Sequence, residues 1–409
     1  MSAQKNTSLW EESMVRVLIG GVLVLVISMG VGRFAFTPIL PAMQAATGLG
    51  ADAAGLLASL NYLGYFLGAL GVGLVPQGAA RTAVFRTALI ASVTSTAGMG
   101  FTDDLAAWAA LRFVSGLASA GLFILGIAMT LDALARAGRE SWTGWLYTGV
   151  GLGIASSGLF VAVMGDRLGW RGDWLWLGLA CLGFGTLSWL WVSDPPREPG
   201  HTVAARSSTR PSAPPSAPMI LLTLAYFLEG AGYIVTGTFL VAILKTMPET
   251  AQLGAAAWMV TGLAAMPSGI VWAAAGRKLG LWRALILAHV VQAVGILLPI
   301  TGSPAAAVLS AVLFGGTFVG IVTLSFTLGR HLSGGASARV IGALTAVYGL
   351  GQIIGPVPAG LVVARTGSFD SALLGAAAAV LAGALLLAAG AWMAGRSGPA
   401  AVALGAGRG

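Results

Sequence analysis

Twelve apolar stretches, each close to the length that crosses a bilayer, dominate this chain of 409 residues. They lie at about 16–42, 52–75, 81–101, 105–133, 142–164, 173–193, 219–245, 252–275, 282–300, 304–329, 338–364 and 369–394. A spanning helix needs about 20 such residues, and only a helix satisfies its own backbone where no water reaches. Several stretches are longer, so tilting or kinking is expected. Hydrophobic residues make up 57% of the chain and charged ones 9%, a composition that excludes an ordinary soluble domain. The expected fold class is all-α and integral to the membrane, with twelve transmembrane helices.

A net charge of +8 would suit a nucleic-acid partner, but its distribution points to a bilayer instead. With both termini cytoplasmic, sixteen of the 22 Lys and Arg fall on the cytoplasmic side, among them Arg81, Arg136, Arg206, Arg277 and Arg330. Only Arg167, Arg171, Lys245 and Arg365 fall outside, where Asp52, Asp103, Asp166 and Glu249 also lie. This is the positive-inside bias of a multi-pass protein. The first span is too long for a signal-peptide core and is read as uncleaved. One cysteine, Cys181, permits no intramolecular disulfide and no thiol cluster, and no cofactor or metal is expected.

A stretch rich in Pro, Ser, Thr and Arg, residues 194–218, divides the chain. It has little apolar surface to bury and is read as a mobile cytoplasmic linker between two six-span bundles, residues 1–193 and 219–409. The halves repeat at an offset of 200: Gly30 and Gly32 fall on Gly230 and Gly232, Arg33 on Tyr233, and Leu40 on Leu240. Gly116 falls on Gly316, and Gly149 and Gly151 on Gly349 and Gly351. Parallel repeats of this kind mark a two-bundle transporter with its site between the bundles.

The run from Met29 through Gly32, Arg33, Pro38 and Pro41, with Asn61-Tyr62-Leu63-Gly64-Tyr65, Arg112-Phe113-Val114-Ser115-Gly116 and Gly351-Gln352, resembles the major facilitator superfamily, in its YbfB/YjiJ-like bacterial branch. The resemblance covers nearly the whole chain. It implies two pseudo-symmetric six-helix bundles, a monomer, and a bacterial cytoplasmic (inner) membrane. One departure stands out. The loop between spans two and three, Gly73 to Arg81, lacks the acidic residue that the superfamily places there, and so does the loop from Gly276 to Gly280.

Candidate site residues follow from depth. Arginine at membrane depth costs about 2.5–3.5 kcal/mol on insertion scales, so it rarely faces lipid. Arg33 and Arg112 lie roughly 10–14 Å below the outer ends of spans one and four at 1.5 Å per residue. As a pair they would clamp a carboxylate or phosphate, each offering a planar fork. The blander reading ties Arg33 to carbonyls freed by Pro38, and Arg112 to span one. Glu229, mid-depth in span seven, shares a helical face with Tyr233 and is the candidate proton carrier. Its blander reading is a fixed ion pair with a buried arginine. Asn61, Tyr62, Tyr65, Tyr226, Tyr233, Tyr348 and Gln352 are candidate substrate contacts, although such residues also glue helices together. Asp132, Gly149, Gly151 and Pro356 are candidate gating positions, with Asp132 set to pair with Arg136. His289 is read as packed and neutral.

The expected function is secondary active transport of a small organic solute, an anion by the two arginines, through alternating access coupled to protons. With no Walker A loop, ATP drive is not expected. Three scattered histidines and one cysteine offer no convergent catalytic group, so no enzyme is expected. The alternatives are an efflux pump for hydrophobic or cationic compounds and a non-transporting membrane sensor.

Overall fold

The computed structural model describes residues 2–76, 78–194, 216–333 and 337–396. Among them it is helical throughout: α1 (Ser2–Leu25), α2 (Phe36–Thr47), α3 (Ala51–Val72), α4 (Ala79–Gly98), α5 (Leu105–Arg136) and α6 (Thr143–Trp191) precede residue 194. After residue 216 come α7 (Ala217–Lys245), α8 (Gly254–Leu279), α9 (Leu281–Leu297), α10 (Pro304–Leu332), α11 (Ser337–Ile354), α12 (Pro356–Thr366) and α13 (Asp370–Arg396). The expected linker lies almost wholly outside the described residues, as do residues 397–409.

Among the described residues, ten helical segments are long and apolar enough to span a membrane. One of them, α6, bends at Gly169 (φ 64°, ψ 171°), a backbone state open mainly to glycine, and so reads as two spans. The remaining member of the expected twelve is α4, whose 20 residues include Arg81, Arg86 and six Ser or Thr. Leu70, Leu190, Ile270 and Leu385 are all more than half exposed, so apolar side chains face outward as well as inward. Such a surface suits hydrocarbon, not water.

The first span is the irregular one. A π-helical turn, Val26–Val31, follows α1, and the chain then turns through residues 32–35 before α2. Pro38 has no N–H to give the Phe34 carbonyl, and the Thr37 N–H serves it instead at 3.2 Å. The Arg33 carbonyl thereby loses its usual helical donor.

Helices of the first half meet those of the second along four main contacts: α6 on α8, α3 on α12, α3 on α11, and α2 on α7. In the last, the Thr37 hydroxyl donates to the Gly237 carbonyl at 2.6 Å. These two residues stand 200 apart, so they are repeat equivalents. A residue can touch its own equivalent only near the axis relating the halves.

Elsewhere the register drifts from 200. Gly116 packs on the Asn61 carbonyl, and it is Gly315, not Gly316, that packs on the equivalent Thr261 carbonyl. Gly151 packs on Met266 across the seam as Gly349 packs on Phe66, and Gly153 lies on Gly30 as Gly351 lies on Gly230. The offset is thus 199 between α5 and α10 and 198 between α6 and α11, because the intervening loops differ in length. The matches of Gly116 to Gly316, Gly149 to Gly349 and Gly151 to Gly351 are corrected accordingly.

Candidate functional site

Arg33 is 5% exposed and lies in the break of the first span. Its Nη2 donates to Gln352 Oε1 of α11 at 3.0 Å, and its Nη1 approaches Met29 Sδ at 3.7 Å. Three rings surround the guanidinium: Tyr65 at 4.1 Å, Tyr62 at 5.0 Å and Phe34 at 5.4 Å. Cation–π contact of this kind strengthens when water is excluded. Tyr62 and Tyr65, three apart on α3, present one face as their spacing predicts. Among the described residues, Arg33 Nε has no partner and no carboxylate reaches the guanidinium.

Gln352 carries the contact onward, because its Nε2 donates to the Tyr233 hydroxyl. Tyr233 stacks on Tyr348 (5.5 Å), Phe314 (6.1 Å) and Phe318 (6.0 Å), and Tyr348 stacks on Tyr226 (4.4 Å). Arg33 and its repeat equivalent Tyr233 therefore meet through a single glutamine. A narrow cleft beside them, too tight to admit a water molecule, is lined by Phe34, Ile154, Tyr233, Gly237, Trp258, Thr261, Phe314 and Phe318. It takes residues from both halves and is mainly aromatic.

Arg112 and Asn61 are placed differently from a binding pair. Arg112 Nη1 donates to the Gly32 carbonyl at 3.2 Å and Nη2 to the Arg33 carbonyl at 3.3 Å. Asn61 Nδ2 donates to the Gly32 carbonyl at 3.1 Å and the Arg112 carbonyl at 2.9 Å, and Ser115 Oγ reaches Gly32 at 2.8 Å. Three side chains thus serve the carbonyls released where the helix is interrupted. The expectation of two arginines forming one clamp gives way to one guanidinium at the seam and another holding its backbone in place.

Glu229 is fully buried on α7, and neither carboxyl oxygen has a hydrogen-bond partner. Its polar neighbours are Gln292 of α9 and Tyr348. A fixed ion pair with a buried arginine is not what the described residues form. Sequence reasoning missed Gln292. Its position three residues after His289, on one face of a membrane helix, was the available signal.

Of the gating candidates, Gly151 and Pro356 lie on the seam, the latter against Gly55, while Gly149 packs inside the first half on Val22 and Leu25. Asp132 pairs with Arg81 at 3.3 Å rather than with Arg136. Arg81 also meets Asp194 at 3.3 Å, and Asp194 accepts the Gly78 N–H at 2.8 Å. The acid absent from the loop between spans two and three is therefore supplied by the residue that ends the first half.

Two repeated halves, packed about a seam with a buried polar link across it, define a transporter of the major facilitator superfamily. The fold matches that of solved transporters. A mutant of the nucleoside transporter NupG aligns with a TM-score of 0.78 at 14% identity, covering 92% of this chain and 99% of that one. A bacterial homolog of the human lysosomal transporter Spinster, in an inward-facing and occupied conformation, aligns with a TM-score of 0.67 at 16% identity over 93% and 97%. A comparison with curated proteins finds no match. The family described as the uncharacterised MFS-type transporter YbfB matches residues 25–388, and the chain belongs to it.

Proposed function

We propose that this protein moves a small organic anion across a bacterial cytoplasmic membrane by alternating access, with both termini cytoplasmic, working as a monomer coupled to protons through Glu229. One observation carries the reading. Arg33 is a buried cation at the seam with no carboxylate beside it, held by one amide oxygen and boxed by aromatic rings. A buried charge without a counter-ion costs several kcal/mol. A carboxylate or phosphate entering the seam would supply that counter-ion in exchange for Gln352, and its binding would pull the halves together around residue 33.

With residues 48–50 outside, the closed contacts at Thr37–Gly237 and Gly55–Pro356 belong to the outer end. Transport then requires these to part while the inner end closes. The α6–α8 contact suits such rocking, because Gly151, Gly158 and Gly262 lay backbone against backbone with few side chains to unlock.

A thermal-shift screen of small organic acids on the purified protein tests the reading. Acids that stabilise the wild type should lose their effect in Arg33→Ala and keep only part of it in Arg33→Lys, which lacks the fork. Equal stabilisation in all three proteins would overturn the anion assignment. The aromatic lining of the cleft favours a second reading, export of hydrophobic compounds. Stabilisation by hydrophobic cations alone would select it.

A further inference from the structure

We propose that Glu229, Gln292 and Tyr348 form one proton-binding site inside the second half of the chain, read by the Arg33 clasp through the tyrosine stack. This rests on the coupling role proposed for Glu229 and assigns it partners and a route.

The observation is a concentration of unpartnered polar atoms. Both carboxyl oxygens of Glu229, both amide atoms of Gln292 and the hydroxyl of Tyr348 are buried without a well-formed hydrogen bond, and Gln292 and Tyr348 lie close enough to Glu229 to bond to it. Glu229 and Gln292 are each 0% exposed. Native interiors rarely leave even one such group unsatisfied. Gathering them from α7, α9 and α11 makes chemical sense if one proton decides how they pair.

A neutral carboxyl offers one donor and one acceptor, and so does the face of a carboxamide. Glu229 with its proton and Gln292 can therefore close a two-bond ring with no net charge, leaving the Tyr348 hydroxyl outside it. An ionised Glu229 has only acceptors. It then rejects the Gln292 carbonyl and takes the amide N–H and the Tyr348 O–H. Arrival or departure of the proton thus changes what the Tyr348 hydroxyl is bonded to.

That change has a physical path to the seam. The Tyr348 ring lies between those of Tyr226 and Tyr233, and the Tyr233 hydroxyl is bonded by the same Gln352 that holds Arg33. Any movement of Tyr348 along its stack is felt at the Gln352 amide that is bonded to Arg33.

The other titratable groups near Glu229 are few. Its own helix brings Tyr226 and Tyr233, α11 brings Tyr348, and α9 brings His289, one turn from Gln292. His289 Nδ1 meets the Leu285 carbonyl at 2.8 Å, and its Nε2 lies against Gly383 without a partner. The helices α8, α10 and α13 carry no titratable side chain between their end charges.

The test needs no substrate. Infrared difference spectra of the purified full chain in lipid nanodiscs, recorded during a pH titration, should contain a protonated-carboxyl band that is absent in Glu229→Gln. In Gln292→Leu and Tyr348→Phe the midpoint of that band should move by about tenfold in proton concentration, roughly one hydrogen bond's worth, and in opposite senses. Spin labels at Leu74→Cys and Leu279→Cys, with Cys181→Ala, should report a distance across the cytoplasmic ends that changes with the same midpoint in each protein. A band that survives Glu229→Gln removes the coupling role and this proposal with it. A Glu229 band whose midpoint is unmoved in both variants overturns this proposal alone. If Gln292→Leu does not fold, Tyr348→Phe decides by the same two readouts.

Discussion

The first spans of the two halves occupy equivalent places in the fold and differ sharply. In the first half the helix is interrupted by a π-turn, four residues of turn and Pro38, and an arginine occupies the gap. In the second half α7 runs unbroken through the equivalent position, which holds Tyr233. A continuous helix uses all its own carbonyls, so it needs no outside donor and can present a ring with one hydroxyl. An interrupted helix leaves carbonyls that must be served, and here Arg112, Asn61 and Ser115 serve them. A second cation at membrane depth is thus part of the structural cost of exposing the first.

Arg112→Ala should have the largest effect on this contrast. It removes two charge-assisted bonds to carbonyls, together worth about 3–5 kcal/mol. A large fall in melting temperature, with little protein recovered from the membrane, is the expected outcome. A stable Arg112→Ala protein that merely fails to bind ligand would return Arg112 to the binding site. Arg33→Ala should behave in the opposite way. The fold should persist, because its bonds reach one amide and three rings, while affinity for a stabilising acid falls by about 100-fold, as expected for loss of a charge-assisted pair. Isothermal calorimetry checks it.

Smaller effects follow across the seam. Thr37→Val deletes one hydrogen bond, about 1 kcal/mol, from a contact that exists only while the outer end is closed. The population with that end open should rise by about fivefold, measurable by spin-label distances between loops 48–50 and 246–250. Tyr233→Phe should leave stability within about 1 kcal/mol and loosen Gln352, weakening ligand binding modestly. Pro38→Ala should have the least effect on stability. It restores an N–H to a helix already adapted to lacking one, and a gain in ligand affinity would show that the interruption is not needed.

Much of this was legible in the sequence because membrane folds obey strong local rules. Spans announce themselves by length, and a charge at depth announces a cavity or a partner. The shared face of Tyr62 and Tyr65 follows from helical spacing alone. What a residue touches does not. Arg112 and Arg33 look alike in sequence, since both are single arginines in apolar helices, and only the broken backbone between them separates their roles. Gln292 stands 63 positions from Glu229, and nothing local says that α9 turns that face toward α7. In the sequence Asp194 looks like the start of a linker because Pro195 and Pro196 follow it. Its side chain instead turns back to cap Gly78 and meet Arg81. The register slipped by one and two residues for a similar reason: glycine is so frequent here that neighbouring matches looked equally good.

The bond from Thr37 to Gly237 has a consequence for how such a chain can arise. In a dimer of identical subunits, a residue on the twofold axis must be its own neighbour, so one side-chain type has to suit both sides at once. Joining the halves in one polypeptide freed the two positions to diverge, one keeping the donor and the other shedding its side chain to bare the acceptor. The shortest hydrogen bond between the halves among the described residues is therefore one whose two sides are no longer bound to match.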